Sequence, residues 1–175
     1  EQPSRASLDM LRAVIEMRAV KSMEEIREIE RAVDLSIDMH LAAMRMARPG
    51  MTEAQVSARV AQIALAAGRE LASPLIATVH GETLHNTSRG QTLESGQLFL
   101  LDAGAESPEH YAGDLTTTFP VAPRFTPRQR EVHEIVVDAH SAALAASRPG
   151  VPCRDVHLLA CRHLAEGLRA LGLMK

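Results

Sequence analysis

Apolar residues spaced three and four apart predict a long helix in the first third of the chain. The stripe consists of Ile26, Ile29, Val33, Ile37 and Leu41. Residues 22–25 read Ser-Met-Glu-Glu, a capping box that marks the start of this helix, and the Arg-Pro-Gly triplet at residues 48–50 marks its end. A shorter helix is predicted before it, over about residues 8–17.

The pattern then alternates between helical and β-type segments. A second capping box at residues 52–55 predicts a helix over about 54–67, and Thr126-Pro127 predicts another over about 127–147. A last helix is predicted over about 155–171. Between these helices, short apolar runs bounded by turn residues predict strands over 75–79, 96–105 and 111–121. The predicted fold class is therefore α+β.

The chain also repeats itself with an offset of 100 residues. Eight identities between Asp38 and Val56 recur between Asp138 and Val156, including a second Arg-Pro-Gly triplet at residues 148–150. Two alanine-rich helices that happen to end alike would be the alternative explanation. The repeat predicts a single, partial domain, residues 1–175, made of duplicated units. Residues 1–121 would form two helices plus strands, and residues 122–175 the helices of an incomplete second unit.

Two acidic residues end or begin the β-type runs. Asp102 follows the apolar run 98–101, and Asp114 opens the next run after a predicted turn at residues 107–109. We expect the two to lie directly opposite each other, with Cβ atoms ~5 Å apart on one face. Such carboxylates repel unless a cation lies between them or one acid is protonated. Oxygen ligands favour Mg²⁺, Mn²⁺ or a similar ion. Two solvated acids would be the alternative.

A hydroxyl group shares the predicted face of the acid pair. Thr116 follows Asp114 at period two, and a hydroxyl at that place can orient a metal-ligating carboxylate. His85 lies in a polar loop after a strand, where an imidazole can donate a hydrogen bond to an oxygen that gains negative charge. A solvent-facing loop histidine would be the alternative for His85.

Other histidines and the cysteines suggest structural roles. Cys153, His157 and Cys161 fall on one helix face, but they extend over ~12 Å of helix and cannot all reach one zinc ion. His40 and its counterpart in the repeat, His140, are expected to pack between secondary-structure elements.

Composition excludes several classes of partner. The formal net charge of −3 argues against nucleic-acid binding through bulk electrostatics, and 2% aromatic residues leave no stacking platform for single strands. No apolar run approaches the ~18 residues of a membrane span, so we expect no membrane partner. With only two cysteines, whose helical spacing makes a disulfide implausible, the chain fits a reducing compartment, and we expect a cytoplasmic protein.

In combination, several segments resemble the aminopeptidase P and prolidase group of pita-bread metallopeptidases. They are DAGAE, HYAGDLTTTFPV and FTPRQREVHEIV, with RPG after the last, and the resemblance covers about residues 20–174. It implies a pita-bread fold of two related halves and a hydrolase that removes an N-terminal residue preceding proline. It also implies two divalent ions with Asp102 and Asp114 among their ligands. Manganese is expected, with cobalt, zinc, iron or magnesium as alternatives.

The same resemblance implies a substrate and a catalytic histidine. The segment ATVHGETLHN is similar to the family's substrate-binding segment and places that histidine at His85. The expected substrate is a peptide with proline at its second position. Prolidase or methionine aminopeptidase activity stays open, as does a non-catalytic module that binds peptides or proteins.

Two features depart from the family pattern. The acid-bearing hairpin is one residue longer than the common form, and the family's later metal ligands, one histidine and two glutamates, would lie beyond Lys175. We therefore expect this chain, taken alone, to be inactive. A partial sheet with unpaired apolar edges also favours self-association, so we expect a homo-oligomer.

Overall fold

The computed structural model describes residues 7–175, which fold as α+β, as predicted from the sequence. The helices are α1 (Leu8–Ala19), α2 (Met23–Met46), α3 (Glu53–Ala66), α4 (Pro127–Ala146) and α5 (Cys153–Ala170). The strands are β1 (Ile76–Thr78), β2 (Leu98–Ala103) and β3 (Leu115–Pro120). Each predicted element is present in this part of the chain. All three strands are shorter than expected. For β3 the reason is that residues 111–114 belong to the end of a hairpin.

Three helices begin with capping boxes at the predicted helix starts. The side chains of Ser22, Thr52 and Thr126 each accept a hydrogen bond from the third helical N–H, and the residue at that position returns one to the cap. These reciprocal bonds satisfy backbone donors that a helix start leaves unpaired. Helix α5 begins two residues before the predicted start, after Pro152, which supplies no side-chain cap.

Contacts divide the chain into two compact units, one ending at Ala122 and the other spanning Pro123–Lys175. Both contain an αα-hairpin joined by the repeated Arg-Pro-Gly triplet. Gly50 and Gly150 have φ angles of +89° and +84°, in the left-handed region that glycine adopts without strain. The residue after each glycine donates to the arginine carbonyl, at 3.2 Å in the first turn and 3.1 Å in the second. The two halves of the sequence repeat therefore share the same turn geometry between their helices.

The first unit has two layers. Its sheet is antiparallel in the order β1-β2-β3, and α2 and α3 cover one face of it. The core between the layers includes Met39, Val56, Val60, Phe99 and Leu101. Burial alternates along β2, with Phe99, Leu101 and Ala103 facing the helices. The residues between them, including Asp102, therefore lie on the face that the helices leave free.

The hairpin that joins β2 to β3 lies directly against α2. Ser36 is fully buried; its hydroxyl donates to the Ala32 carbonyl at 2.7 Å and accepts the Ala105 N–H at 3.0 Å. Gly113 approaches α2 so closely that a Cβ there would lie 2.4 Å from Ser36 Oγ and 2.6 Å from the Ala32 carbonyl oxygen. The contact therefore requires glycine at this position.

A second contact fixes the tip of the hairpin to the start of α2. The Tyr111 hydroxyl donates to the Glu25 carboxylate at 2.8 Å. Hydrogen bonds from the Ser22 backbone and from Tyr111 lower the pKa of Glu25 below its ordinary value of 4.5. The anionic form is therefore favoured by folding. This contribution to stability is present above pH 4.5 and is lost as the pH falls through the lowered pKa.

Helix α1 differs from the others because none of its residues is buried. Several large apolar side chains are exposed along it, and Leu8 and Met17 are 68% and 79% accessible. Despite this apolar surface, none of the helices in residues 7–175 combines the length and hydropathy needed to cross a membrane.

Replacing Gly113 with alanine should destabilise the first unit. The added methyl group collides with the α2 backbone, which cannot move aside as a side chain can, and we expect a loss of about 1–3 kcal/mol in the free energy of unfolding. Urea unfolding measures it. Gly90→Ala is the matched control, because a Cβ at residue 90 meets no atom within 4 Å. Equal stability of the two variants would contradict the close contact.

Replacing Tyr111 with phenylalanine should raise the pKa of Glu25 toward 4.5. The pKa should stay below that value, because the larger influence, the Ser22 backbone N–H, remains. Carbon-13 NMR of the Glu25 carboxyl group during a pH titration measures the change. Glu82 serves as the internal control: its pKa is lowered by its own backbone and by His80 and should not move. An unchanged Glu25 titration would show that the hydroxyl does not reach the carboxylate in solution.

Candidate metal centre

The two predicted acids lie on the same face of the β2–β3 hairpin, with Asp102 in β2 and Asp114 directly before β3. Asp102 pairs with Thr116 across the ladder. The bridge between Glu106 and Ala112 keeps the same register, so Gly104 stands across from Asp114. The acids are diagonal neighbours, with a typical Cβ separation of roughly 7 Å. Gly104 has no side chain, and a Cβ there would lie 1.7 Å from the Gly113 carbonyl oxygen, so the two sides of the hairpin approach closely at this point.

The prediction that Asp102 and Asp114 stand directly opposite was wrong by two residues. The turn closes between Ser107 and Tyr111 at 2.8 Å and is centred on Glu109, one residue later than predicted. His110, with a φ of +62°, completes this three-residue loop. When the centre of the turn shifts by one residue, each residue pairs with a partner two positions further along. Because side chains alternate between the two faces of a strand, a shift of two positions leaves every side chain on the same face. The acids therefore keep a common face despite the altered register.

Thr116 lies where a supporting hydroxyl was predicted. Its Oγ1 donates to Asp102 Oδ1 at 2.9 Å. This bond uses one carboxylate oxygen of Asp102 and restricts rotation of the side chain. Asp102 is partly buried, whereas Asp114 is exposed. The arrangement leaves the second oxygen of Asp102 and both oxygens of Asp114 available to a ligand.

A buried histidine supports the strands from the opposite face. His40 of α2 is 3% exposed, and its ring contacts Ala103 O through Nε2 at 3.0 Å and Thr117 Oγ1 through Nδ1 at 2.8 Å. A carbonyl oxygen only accepts, so Nε2 carries a proton. One ring thus joins α2 to both strands, beside Asp102 and Thr116. His140, the counterpart of His40 in the repeat, is exposed within its own unit.

His85 lies on an exposed loop with a φ of +52°. Its neighbour Asn86 donates through Nδ2 to Thr78 Oγ1 at 3.2 Å. Thr78 pairs with Leu100, which shares its strand face with Asp102. The loop is therefore attached on the acid-bearing side of the sheet.

A cavity of about 460 Å³ opens on this same side. It is lined by Val79, Gly81, Glu82, Gln97, Leu98, Leu100 and Thr118. A Cβ at Gly81 would lie 3.2 Å from Leu100 Cδ1, so the first part of the loop lies close against β2. The cavity lies beside Leu100 and Thr118 on the acid-bearing face, near the attachment point of the His85 loop. The two acids, Thr116 and His85 are not among its lining residues.

Four residues organise this region through bonds that the sequence did not reveal. His40 was expected to pack, but not to bond both strands. Thr78 and Asn86 bond each other within the loop, and the Glu53 side chain of α3 bonds the backbone at both of its ends. Glu53 did carry a signal, since an acidic residue directly after an N-cap suits the positive end of a helix. That signal predicts a helix start but does not predict a bond to a loop 26 or more residues later in the chain.

The donor chemistry fits a hard divalent ion, although the ligand set is small. Carboxylate oxygens suit Mg²⁺ or Mn²⁺. Among residues 7–175, no group of three or more histidine, cysteine or acidic side chains is arranged to hold a metal. His157 and Cys161, 3.5 Å apart on exposed α5, form no such group either. Asp102 and Asp114 offer two carboxylates, which is fewer donors than a divalent ion usually takes in a protein site.

Comparisons with known proteins agree with these features. The sequence model of metallopeptidase family M24 matches residues 27–173. An Xaa-Pro aminopeptidase from Escherichia coli K12 is 36% identical over 171 residues, which cover 96% of this chain and 38% of that protein. The chain thus spans a little over a third of the length of the curated relative.

Solved structures show the same fold. Proline aminopeptidase P II from Yersinia pestis is 39% identical with a TM-score of 0.89, over 94% of this chain and 38% of its own. A zinc-substituted E. coli aminopeptidase P in complex with product is 36% identical with a TM-score of 0.88, over 93% and 38%. The pita-bread fold and the resemblance to aminopeptidase P are confirmed, and the chain belongs to metallopeptidase family M24.

Proposed function

We propose that this chain supplies Asp102 and Asp114 as metal ligands of an Xaa-Pro aminopeptidase. The observation that carries the proposal is the hairpin register, which puts Asp102 of β2 and Asp114, directly before β3, on one face, with Thr116 bonded to Asp102. A pair of like charges in this place is best stabilised by cations between or beside them. Relatives named Xaa-Pro aminopeptidase support the reaction.

Each residue of the site has a distinct role in this proposal. Asp102, with its rotation restricted by Thr116, and the exposed Asp114 would hold two divalent ions, for which we propose manganese. When bound, such ions lower the pKa of water and polarise a peptide carbonyl. His85 would donate a hydrogen bond to the substrate carbonyl oxygen as negative charge develops there. A histidine on a loop attached to the same side of the sheet suits this role.

The proposed substrate is a peptide with proline in the second position. Its support is the name of the relatives together with the cavity beside Leu100 and Thr118, whose volume falls in the range of small-ligand pockets. The 175 residues by themselves also suit a second function. With two carboxylate ligands and a cavity, they would bind peptides without cleaving them.

Metal binding tests the acid pair. Titration calorimetry with MnCl₂ should detect binding to the chain, and Asp102→Asn should abolish it. Thr116→Val should weaken binding by about 10-fold, because the carboxylate loses the bond that orients it. Thr118→Val is the matched control, since it changes the same strand face without touching Asp102. Equal affinity of the two threonine variants, or unaltered binding by Asp102→Asn, would exclude this site.

Peptide hydrolysis tests the reaction. We expect the full natural protein containing this chain to release the first residue of an Xaa-Pro peptide. Asp114→Asn should lower kcat/KM about 100-fold or more, because a bound metal supplies several kcal/mol of transition-state stabilisation.

The isolated 175 residues serve as the comparison. They should bind the same peptide and leave it intact. Failure of the full protein to cleave would remove the peptidase proposal. Chelator-sensitive cleavage by the isolated chain would show that two carboxylates suffice.

A further inference from the structure

A fully buried carboxylate lies outside the acid pair and takes no part in the proposed chemistry. Glu53, in the first turn of α3, is 0% exposed. We propose that Glu53 is a positioning residue: its carboxylate closes the loop that carries His85 and holds that histidine at the acid-bearing side of the sheet. The purpose assigned to His85 rests on the function proposed above.

The geometry of the two carboxylate oxygens carries this inference. Oε1 accepts the Val79 N–H at 2.9 Å, and Oε2 accepts the Gln91 N–H at 3.0 Å. Val79 is the residue directly after β1, and Gln91 is where the loop ends. The Glu53 backbone N–H also donates to the Gln91 carbonyl at 3.0 Å. One side chain therefore joins both ends of the segment 80–90.

A second set of bonds lies inside the closed loop. The buried Thr78 hydroxyl accepts the His80 N–H at 2.9 Å and the Asn86 side-chain amide at 3.2 Å. The side-chain oxygen Oδ1 of Asn86 accepts the Ser88 N–H at 3.0 Å. These bonds fix the residue next to His85, whose own backbone φ of +52° lies in the left-handed region that few residues other than glycine adopt. Glu53 holds the ends of the loop, and Thr78 holds its middle.

The chemistry requires an anion with two acceptors at this point. Both donors are backbone N–H groups, and a glutamine would direct its NH₂ group at one of them. Buried groups left unpaired in this way are costly. The start of α3 is already capped by Thr52 and Gln55, so the helix does not need the Glu53 carboxylate. The Glu53 carboxylate therefore bonds the two ends of the loop instead of capping the helix.

The test compares Glu53→Gln with Val60→Ala in the metal-free, peptide-free chain. Val60 is a fully buried residue of the same helix that belongs to the core, so its truncation reports on general loss of stability. NMR relaxation gives the backbone order parameters of residues 80–90. Hydrogen exchange gives the protection of the Val79 and Gln91 amides, and the His85 ring signals report on the side chain itself.

Glu53→Gln should make the loop flexible. Order parameters should fall from about 0.85 to below about 0.6. Protection of the two end amides should drop about 10- to 100-fold, as expected for losing a bond to a charged acceptor. The His85 ring signals should narrow and approach those of free histidine. Val60→Ala should leave all three readouts of the loop unchanged. If Glu53→Gln does not fold, Glu53→Asp, which keeps the charge but reaches one end only, should give intermediate values.

The outcomes separate this inference from the proposed function. A loop that stays rigid in both Glu53 variants, or that loosens equally in Val60→Ala, would overturn the positioning role and leave the metal centre untouched. If Mn²⁺ fails to bind the acid pair while the loop still depends on Glu53, the peptidase proposal falls and the loop closure remains.

Discussion

Two carboxylates that share one face of a two-strand ladder are the constraint on which the first unit depends. Asp102 and Asp114 carry like charges, and within the sheet the Thr116 hydroxyl offsets part of the repulsion by donating to Asp102. The surrounding structure restricts both of them from the other side. His40 bonds the two strands, and Gly113 lies against the backbone of α2. The hairpin is held to its helix at the very residues that flank the acids.

This support explains why the register matters less than the face. A turn centred on Glu109 shifts every pair by two residues, which changes the partner of Asp102 from Asp114 to Thr116. The result replaces a directly opposed pair of like charges with a hydrogen bond and a diagonal pair. Opposed like charges are destabilising, so the observed register is the better one for the free chain. It also keeps both carboxylates available to one site.

The sequence was informative where a local signal decides the structure. Capping boxes at Ser22 and Thr52, and the Thr126-Pro127 pair, located three helix starts, because such signals need only a few consecutive residues. The common face of the acids followed from strand periodicity. The centre of the turn did not, because it depends on Ser107 bonding the Glu109 and Tyr111 backbone, and several polar residues there could serve equally.

Contacts between residues that are far apart in the sequence could not be predicted from local patterns. His40 and His140 occupy equivalent positions in the repeat, yet one is buried under strands and the other is exposed. Glu53 looks like any acidic residue in a first helical turn, while its oxygens bond groups 26 and 38 residues later. The site thus combines two kinds of support. The acids are carried by strands that α2 fixes from behind, whereas the histidine is carried by a loop whose order depends on a buried anion. A change in α3 can therefore alter the histidine without moving the acids.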